Sequence, residues 1–347
     1  MKLFYGVQAT GNGHITRARA MAPKLKEAGI ETTFLFTGRP REKLFEMEVF
    51  DDYELRKGLT FETRAGHVKY FQTALRNNFP AFFSDVLSLD LSGYDRVVVD
   101  FEPVTAWAAK LRGIKTIGIG HQYAFGYDIP RAGVDFMGKN LLRYFAPASM
   151  DVGVHWHHFG QPILPPLIET DIAPAKVQPN KIIVYLPFED VHQVVRLLAP
   201  FRDYQFHIYS PSPLREGIVP PEHLHVKALS RKGFQDDFAD SSGVISNSGF
   251  ELASESLHLG KKLLVKPLHR QMEQESNALA LEVLQLGEVM PDLDGPTIAA
   301  WLDQSHAIQV RFPDVAEAVA NWLRGGNLQV DRGWVQGIWD RVVRVEA

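Results

Sequence analysis

The chain of 347 residues contains no cysteine, and this absence excludes several kinds of chemistry. Disulfide bonds, thiolate nucleophiles, iron–sulfur clusters and cysteine-ligated zinc sites all need a side chain that the sequence lacks. The absence is compatible with a reducing compartment, and we expect a cytoplasmic protein. Long apolar runs are also missing, since no window approaches the roughly 18 uninterrupted apolar residues of a transmembrane helix. The apolar stretch at residues 3–7 is too short for the core of a signal peptide.

Neither sign of charge is in large excess. The 37 lysines and arginines nearly balance the 41 aspartates and glutamates, which leaves a net charge of −4. A charge so close to balance gives no general attraction to nucleic acid or to an anionic membrane, although a local basic patch is compatible with it. With 45% apolar residues the chain can bury a sizeable core, and its length favours two domains.

Short apolar runs alternate with helical patterns along most of the chain. We predict strands at residues 2–7, 31–36, 96–99, 115–119, 181–186, 205–209, 225–227, 243–246 and 262–265. Helices are predicted between them, at residues 15–28, 104–111, 191–198 and 250–259. Alternation of this kind is typical of parallel βαβ units, so the sequence predicts an α/β protein with doubly wound sheets.

Five prolines fall between residues 160 and 181, where helix or strand periodicity is weak. Such a composition is typical of a linker. We therefore expect a first domain over residues 1–160, a linker over 161–180 and a second α/β domain over 181–330. Two open parallel sheets that face each other place the carboxyl ends of their strands on a shared cleft, which is where such sheets bind ligands.

Aromatic and basic residues are mixed between residues 50 and 91. The aromatic ones are Phe61, Tyr70, Phe71, Phe79, Phe82 and Phe83, and the cations are Arg64, Lys69 and Arg76. One interpretation is a pair of amphipathic helices that covers the sheet. The alternative is a partner or acceptor surface, because aromatic rings and cations together suit sugars, lipids and phosphates. A peripheral contact with a membrane belongs to this second interpretation.

A glycine-containing turn, Gly11-Asn12-Gly13-His14, lies between the first predicted strand and the first helix. Glycines allow a ligand to approach the backbone, and the following helix N-terminus favours an anion. The turn lacks the third glycine of the dinucleotide-binding motif and the Gly-Lys-Ser/Thr of a P-loop. His14 is a candidate general base at the mouth of the cleft. The alternative is a histidine that only caps the helix or shapes the turn.

Asp100 ends an apolar run and is expected on the same side of the sheet as His14. A carboxylate behind an imidazole fixes its tautomer and stabilises its protonated form. The alternative is that Asp100 caps the helix that follows it. Glu102, His121 and Gln122 also follow predicted strands at this edge, so we expect them to line the cleft and contact a polar substrate.

The second half of the chain carries the most specific pattern. It runs from Asn247-Ser248-Gly249-Phe250 to Glu255 and Gly260, then to Pro267, Glu273-Gln274 and Asn277-Ala278. This block resembles the nucleotide-sugar-binding signature of GT-B glycosyltransferases, the group that includes MurG and the UDP-glucuronosyl and plant glycosyltransferases. The Gly-Asn-Gly-His-Ile turn resembles the glycine loop of MurG. The segment 97–109 resembles the one that carries the histidine-orienting aspartate in plant members.

The resemblance implies a GT-B fold, which is α/β with two Rossmann-like parallel-sheet domains facing a central cleft. It implies an inverting transfer from a nucleotide-diphosphate sugar, most simply a UDP-sugar, to a hydroxyl acceptor. His14 would be the general base and Asp100 would orient it. Neither a cofactor nor a metal is expected. The final segment, 331–347, is expected to be a helix that crosses back to the first domain.

The resemblance also implies two groups of site residues. The donor-binding residues would be Asn247, Ser248, Gly249, Phe250, Glu255, Glu273 and Gln274, and the acceptor-side residues of the cleft would be Gly11, Asn12, Gly13, Glu102, His121 and Gln122. The helix that begins near Phe250 would direct its amides at the diphosphate, and Glu255 would accept hydrogen bonds from the ribose. Glu273 and Gln274 would pair with hydroxyls of the donor sugar. Asn247 stands where relatives carry a histidine or an arginine, so its contact with phosphate would be weaker.

Other functions of the same fold stay open at this point. The acceptor can be a glycan, a lipid-linked molecule or a small molecule, and nucleic acid is not an expected partner. An epimerase or hydrolase of nucleotide sugars would share the architecture. A non-catalytic protein that kept the cleft is the alternative from another class, and the presence of His14 and Asp100 argues against it.

Overall fold

The structure is a computed structural model that describes residues 1–59, 78–132, 144–170, 175–304, 307–326 and 328–346. It also describes the backbone of residues 63–64 and 67–68. Of the mixed aromatic and basic segment, Phe61, Lys69, Tyr70, Phe71 and Arg76 lie outside the described residues.

The first domain is built around a six-stranded parallel sheet. Its strands are β1 (Lys2–Gln8), β2 (Glu31–Thr37), β3 (Tyr53–Arg56), β6 (Arg96–Asp100), β7 (Thr116–Gly120) and β8 (Met150–Gly153), and β4 (Thr63–Arg64) and β5 (His67–Val68) form a separate hairpin. Its helices are α1 (Asn12–Glu27), α2 (Phe79–Ser88), α3 (Pro103–Leu111) and α4 (His121–Ala124). Val97, Val98 and Val99 are buried on both faces of β6, as a central strand of a parallel sheet requires.

The second domain repeats this plan. Its strands are β9 (Gln178–Tyr185), β10 (Gln205–Ser210), β11 (Leu224–Ala228), β12 (Ser241–Asn247), β13 (Lys262–Lys266) and β14 (Glu288–Val289). Its helices are α5 (Val191–Leu198), α6 (Arg231–Asp240), α7 (Phe250–His258), α8 (Met272–Val283), α9 (Gly295–Leu302), α10 (Val315–Arg324) and α11 (Arg332–Trp339). An antiparallel pair, β15 (Ile308–Arg311) and β16 (Val343–Glu346), completes the chain.

The two parallel sheets have the same strand order. It is β3-β2-β1-β6-β7-β8 in the first and β11-β10-β9-β12-β13-β14 in the second, so both follow the 3-2-1-4-5-6 order of the Rossmann fold. The order reverses between β1 and β6 and between β9 and β12, and ligands of such sheets bind at the carboxyl ends of these strands. The predicted α/β class with two Rossmann-like sheets is confirmed.

The proline-rich segment between the sheets is packed. Ile163, Leu164 and Leu167 are buried, and Trp339 of α11 donates from Nε1 to the carbonyl of Ile163 at 2.7 Å. Beyond α11 the chain returns as β16 and pairs with β15. The C-terminal segment is therefore a helix, which contacts the segment between the domains, followed by a strand.

The described part of the mixed aromatic and basic segment contains the strands β3, β4 and β5 as well as helix α2. β3 is the edge strand of the first sheet. Of α2, Phe82 faces the core while Phe79, Phe83 and Leu87 are exposed. In the part of the chain that the structure describes, none of the helices combines the length and the apolar character that crossing a membrane requires.

Candidate active site

His14 lies in the first turn of α1, at the carboxyl edge of the first sheet. The N-cap residue of this helix is Gly11, so His14 is not the cap. His14 Nδ1 lies 2.7 Å from Asp100 Oδ1. Because an ionised carboxylate only accepts hydrogen bonds, Nδ1 donates to Asp100 and Nε2 is left to accept a proton. The His14 side chain is 14% exposed and Asp100 is fully buried, so the imidazole is the part of the pair that reaches the cleft.

Asp100 is the last residue of β6 and is held by Arg17 as well as by His14. Arg17 donates from Nε to Oδ2 at 2.8 Å and from Nη2 to Oδ1 at 2.6 Å. Burial alone would raise the pKa of Asp100, but the positive charge of Arg17 and the hydrogen bonds to His14 and Arg17 lower it below its usual value. Asp100 is therefore ionised at neutral pH and able to stabilise an imidazolium.

The residue after Asp100 has an unusual backbone. Phe101 has a φ of 51°, in the left-handed region that side chains other than glycine rarely adopt. Its ring lies nearly parallel to the His14 imidazole, with 6.4 Å between the ring centroids. The ring is buried, so Phe101 forms part of the apolar surface beside the histidine.

Glu102, and not Asp100, caps helix α3. Its carboxylate accepts hydrogen bonds from the backbone N–H groups of Val104 and Thr105, both at 2.7 Å, and from Thr37 Oγ1 at 2.9 Å. Burial raises the pKa of Glu102 above its usual value. The side chain is fully buried, so its carboxylate is occupied within the first domain.

The second domain presents the N-terminus of α7 to the cleft. Gly249 is the N-cap residue and supplies no side-chain cap, so the first-turn amides of this helix are available to an anion. Asn247, at the end of β12, donates from Nδ2 to the carbonyl of Lys266 at 2.9 Å. Its buried Oδ1 has no hydrogen-bond partner within the described residues, which leaves an acceptor for an incoming hydroxyl or water.

Side-chain hydrogen bonds hold the loop between β12 and α7 in place. Ser248 donates from Oγ to the carbonyl of Gln274 at 2.8 Å, and Asn277 donates from Nδ2 to the carbonyl of Ser248 at 2.9 Å. Gln274 accepts at Oε1 from the N–H of Leu268 at 3.1 Å. These hydrogen bonds fix the helix start against α8, and they already occupy the side-chain carbonyl of Gln274.

Side chains from the two domains meet directly across the cleft. The rings of His121 and Phe250 stack with centroids 3.9 Å apart and planes 7° apart. His121 Nε2 lies 2.6 Å from Asn277 Oδ1, and Gln122 donates from Nε2 to Glu273 Oε1 at 2.9 Å. His121 and Gln122 therefore form part of the contact between the domains.

The glycine turn also meets the second domain. Asn12 donates from Nδ2 to the Tyr185 hydroxyl at 3.3 Å, while Arg39 donates to Asn12 Oδ1 at 2.7 Å. A Cβ atom at Gly13 would overlap the carboxylate of Glu251. Any larger residue at position 13 would therefore require the Glu251 side chain to shift.

Two residues that the sequence analysis did not single out link the halves of the site. Arg17 donates from Nη1 to Glu251, in the first turn of α7, and is itself only 1% exposed. Arg17 follows His14 by one helical turn, and this spacing places both side chains on one face of α1. That spacing was the available signal for Arg17, whereas nothing local marks Glu251.

Glu255 lines a cavity of about 450 Å³ between the domains. Arg19 and Lys24 of α1 and Phe234 of α6 also line it. Burial, together with the negative charges of Glu169 and Glu251, raises the pKa of Glu255 to about 8. The carboxyl group is therefore mostly protonated at neutral pH when the cavity holds no ligand.

The sequence matches the family described as Glycosyl transferase family 1 over residues 1–305. The chain belongs to glycosyl transferase family 1. The resemblance seen in the sequence is confirmed, and this protein is a glycosyltransferase of the GT-B type. No curated protein matches the sequence significantly.

Solved glycosyltransferases share the fold of this transferase along its whole length. Arabidopsis thaliana UGT89C1, solved with UDP, is 14% identical with a TM-score of 0.59, and the match covers 98% of this chain and 97% of that one. Acinetobacter baumannii MurG is 14% identical with a TM-score of 0.52, over 98% of this chain and 94% of that one. SnogD from Streptomyces nogalater is 15% identical with a TM-score of 0.54, over 97% and 96%. At these identities the likeness establishes the fold.

Proposed function

We propose that the protein is an inverting glycosyltransferase that uses a nucleotide-diphosphate sugar, most simply a UDP-sugar, and a hydroxyl acceptor. The observation that carries the proposal is the hydrogen bond of 2.7 Å between His14 Nδ1 and Asp100 Oδ1. It leaves Nε2 as a proton acceptor in a cleft whose other wall presents the N-terminus of α7.

The proposed reaction is a single displacement. The acceptor oxygen attacks the anomeric carbon from the face opposite the nucleotide and forms the new glycosidic bond, while the bond to the diphosphate breaks. The hydroxyl proton passes to His14 Nε2, and the diphosphate leaves with the electron pair. Asp100 stabilises the imidazolium that results, as a carboxylate does in other catalytic pairs with histidine.

Helix α7 supports the proposed place of the diphosphate. Its first-turn amides favour an anion, and stabilising the charge of the leaving group lowers the barrier. Glu251 in the same turn would repel a phosphate, and its ion pair with Arg17 reduces that repulsion. In this proposal the end of α7 supplies the electrostatic stabilisation of the leaving group, and no metal is assigned to the reaction.

The cavity beside Glu255 supports a place for the nucleoside. Its volume of about 450 Å³ and its mixture of polar groups with Phe234 suit a ribose and a base. Glu273 and Gln274 remain the proposed contacts of the donor sugar, and the Gln274 amide would need to exchange its present partner to make one. Gly11, Asn12 and Gly13 lie on the acceptor side in this proposal.

The test is the variant His14→Ala, after calorimetry with UDP-, dTDP- and GDP-sugars has identified the donor. Transfer should fall by at least 10²-fold, the usual contribution of a general base, while affinity for the nucleotide stays near that of the wild type. His225→Ala, on the edge strand β11, is the matched control. Transfer near the wild-type rate in His14→Ala would refute the assignment of the base.

The same assay separates the other functions of this fold. Turnover of the donor without any acceptor would indicate a nucleotide-sugar epimerase or hydrolase. Binding of a nucleotide sugar without turnover, across a panel of hydroxyl acceptors, would indicate a non-catalytic binding protein. Either result would replace the transferase mechanism proposed here.

A further inference from the structure

Arg17 joins the His14–Asp100 pair to the second domain. It is 1% exposed, grips both oxygens of Asp100 and donates to Glu251 of the opposite domain. Its Nη2 also lies 3.0 Å from His14 Nδ1. Burial alone would lower the pKa of Arg17, but the carboxylates of Asp100 and Glu251 raise it above its usual value. The guanidinium therefore stays charged between the catalytic pair and the second domain.

The charges around His14 depend on whether Glu251 is present. Without Glu251, the charges of Arg17 and Asp100 neutralise each other. The cluster of His14, Arg17 and Asp100 is then neutral when His14 is unprotonated. With Glu251 docked, two carboxylates face one fixed cation. The cluster then becomes neutral once His14 is protonated, which is the state that proton transfer from an acceptor produces.

The other titratable groups that face this cluster are mostly uncharged near pH 7. Glu255 interacts with Glu251, and its pKa of about 8 keeps it mostly protonated. Burial and the neighbouring charge of Asp100 raise the pKa values of Tyr5 on β1 and Tyr123 on α4, so both stay neutral. Burial lowers the pKa of His121, which faces Glu251 from α4, so it is also neutral near pH 7. The charges that act on His14 near pH 7 are thus those of Arg17, Asp100 and Glu251.

We propose that Arg17 and Glu251 are positioning residues that couple closure of the cleft to the proton affinity of His14. Docking of Glu251 on Arg17 adds a negative charge beside the catalytic pair and makes His14 a stronger base when the two domains are together. The base is then strongest only when the donor-binding helix α7 is in place. This inference rests on the proposed function for its catalytic meaning, although the coupling itself is a property of the protein without substrate.

The test is the titration of His14 followed by NMR in protein with isotope-labelled histidine. The chain has 13 histidines, so the His14 signal is assigned by its loss in His14→Gln. Glu251→Gln removes one negative charge several ångströms away and should lower the titration midpoint of His14 by about one pH unit, or tenfold in proton affinity. Arg17→Met should shift the midpoint in the opposite direction. Glu282→Gln, an exposed glutamate on α8, is the matched control.

The titration of Glu251→Gln tests the proposal even if Arg17→Met does not fold. Glu251 lies at the contact between the domains, so its replacement should leave each domain folded. A midpoint that stays within 0.2 of a pH unit (about 1.6-fold) of the wild type would overturn the proposal. The pH profile of kcat/KM should shift by the same amount as the NMR midpoint. Failure of the proposed function is distinguishable: transfer would survive in His14→Ala while the midpoint still moves in Glu251→Gln.

Discussion

Replacing Glu255 by glutamine should make the protein more stable at neutral pH. The cavity raises the pKa of Glu255 from 4.5 to about 8, so the folded protein keeps a proton that the unfolded chain releases. Stability is unaffected by this group below pH 4.5, and it falls as the pH rises from there towards 8. Each unit of pH costs about 1.4 kcal/mol, which gives about 3 kcal/mol at pH 7 as an upper value. Water in the cavity reduces this destabilisation, so we expect Glu255→Gln to be more stable than the wild type by about 1–3 kcal/mol at pH 7.

Denaturant unfolding of the wild type and Glu255→Gln at pH 5 and pH 7 measures this difference. At pH 5 the two proteins should differ by less than about 1 kcal/mol, because this pH lies only half a unit above the pKa of 4.5 of the unfolded glutamate. Glu282→Gln controls for the loss of one negative charge at an exposed site on α8. Thermal unfolding gives a second measurement, although two domains need not unfold in a single step.

Two results would refute the reasoning. One is a wild type that is more stable than Glu255→Gln at pH 7. The other is a difference that is the same at both values of pH, since only a titrating group makes it vary. A stabilised Glu255→Gln should nevertheless bind the nucleotide more weakly, by about 1–3 kcal/mol, if the carboxylate accepts hydrogen bonds from the ribose. Greater stability with weaker binding is a common trade-off at functional sites.

Asp100→Asn should retain nucleotide affinity but lose about 10²- to 10⁴-fold in turnover, and combining it with His14→Ala should cost less than the sum of the two effects, because both residues act in one proton transfer. Steady-state kinetics measures the turnover and calorimetry measures the nucleotide affinity. Additive losses of turnover in the double variant would contradict the prediction. Small-angle scattering with and without UDP should show a change in the angle between the domains, and identical curves would argue against closure. Asn277→Ala leaves His121 Nε2 without its buried partner, so we expect a loss of about 1–3 kcal/mol in unfolding experiments; an unchanged stability would mean that water replaces the amide.

The sequence predicted the central strands and the edge strand β11, but it missed the edge strands β3, β8 and β14. Buried strands such as β6 are continuous apolar runs, which a parallel sheet requires on both faces. The edge strands β3, β8 and β14 are short, and their residues include Glu54, Asp151 and Glu288, which break such runs. They are strands because a neighbouring strand offers hydrogen-bond partners. Nothing in their own composition indicates that.

The pairing of His14 with Asp100 followed from the topology. Asp100 ends β6, His14 lies at the start of the helix that follows β1, and these neighbouring strands end at the same edge of the sheet. Arg17 and Glu251 could not be paired in this way. They are 234 residues apart, and each lies on a helix where a charged side chain usually faces solvent. Their contact depends on how the two domains meet, which local patterns do not determine.

The left-handed backbone of Phe101 bears on how this site can change in evolution. A bulky residue with a φ of 51° costs roughly 1–2 kcal/mol relative to glycine or asparagine, which adopt this conformation readily. Selection for stability alone would therefore place glycine or asparagine directly after Asp100. Either would remove the ring beside His14 and open the imidazole to water. We expect a homologue with glycine at this position to be more stable and to have a catalytic imidazole that is more exposed to water.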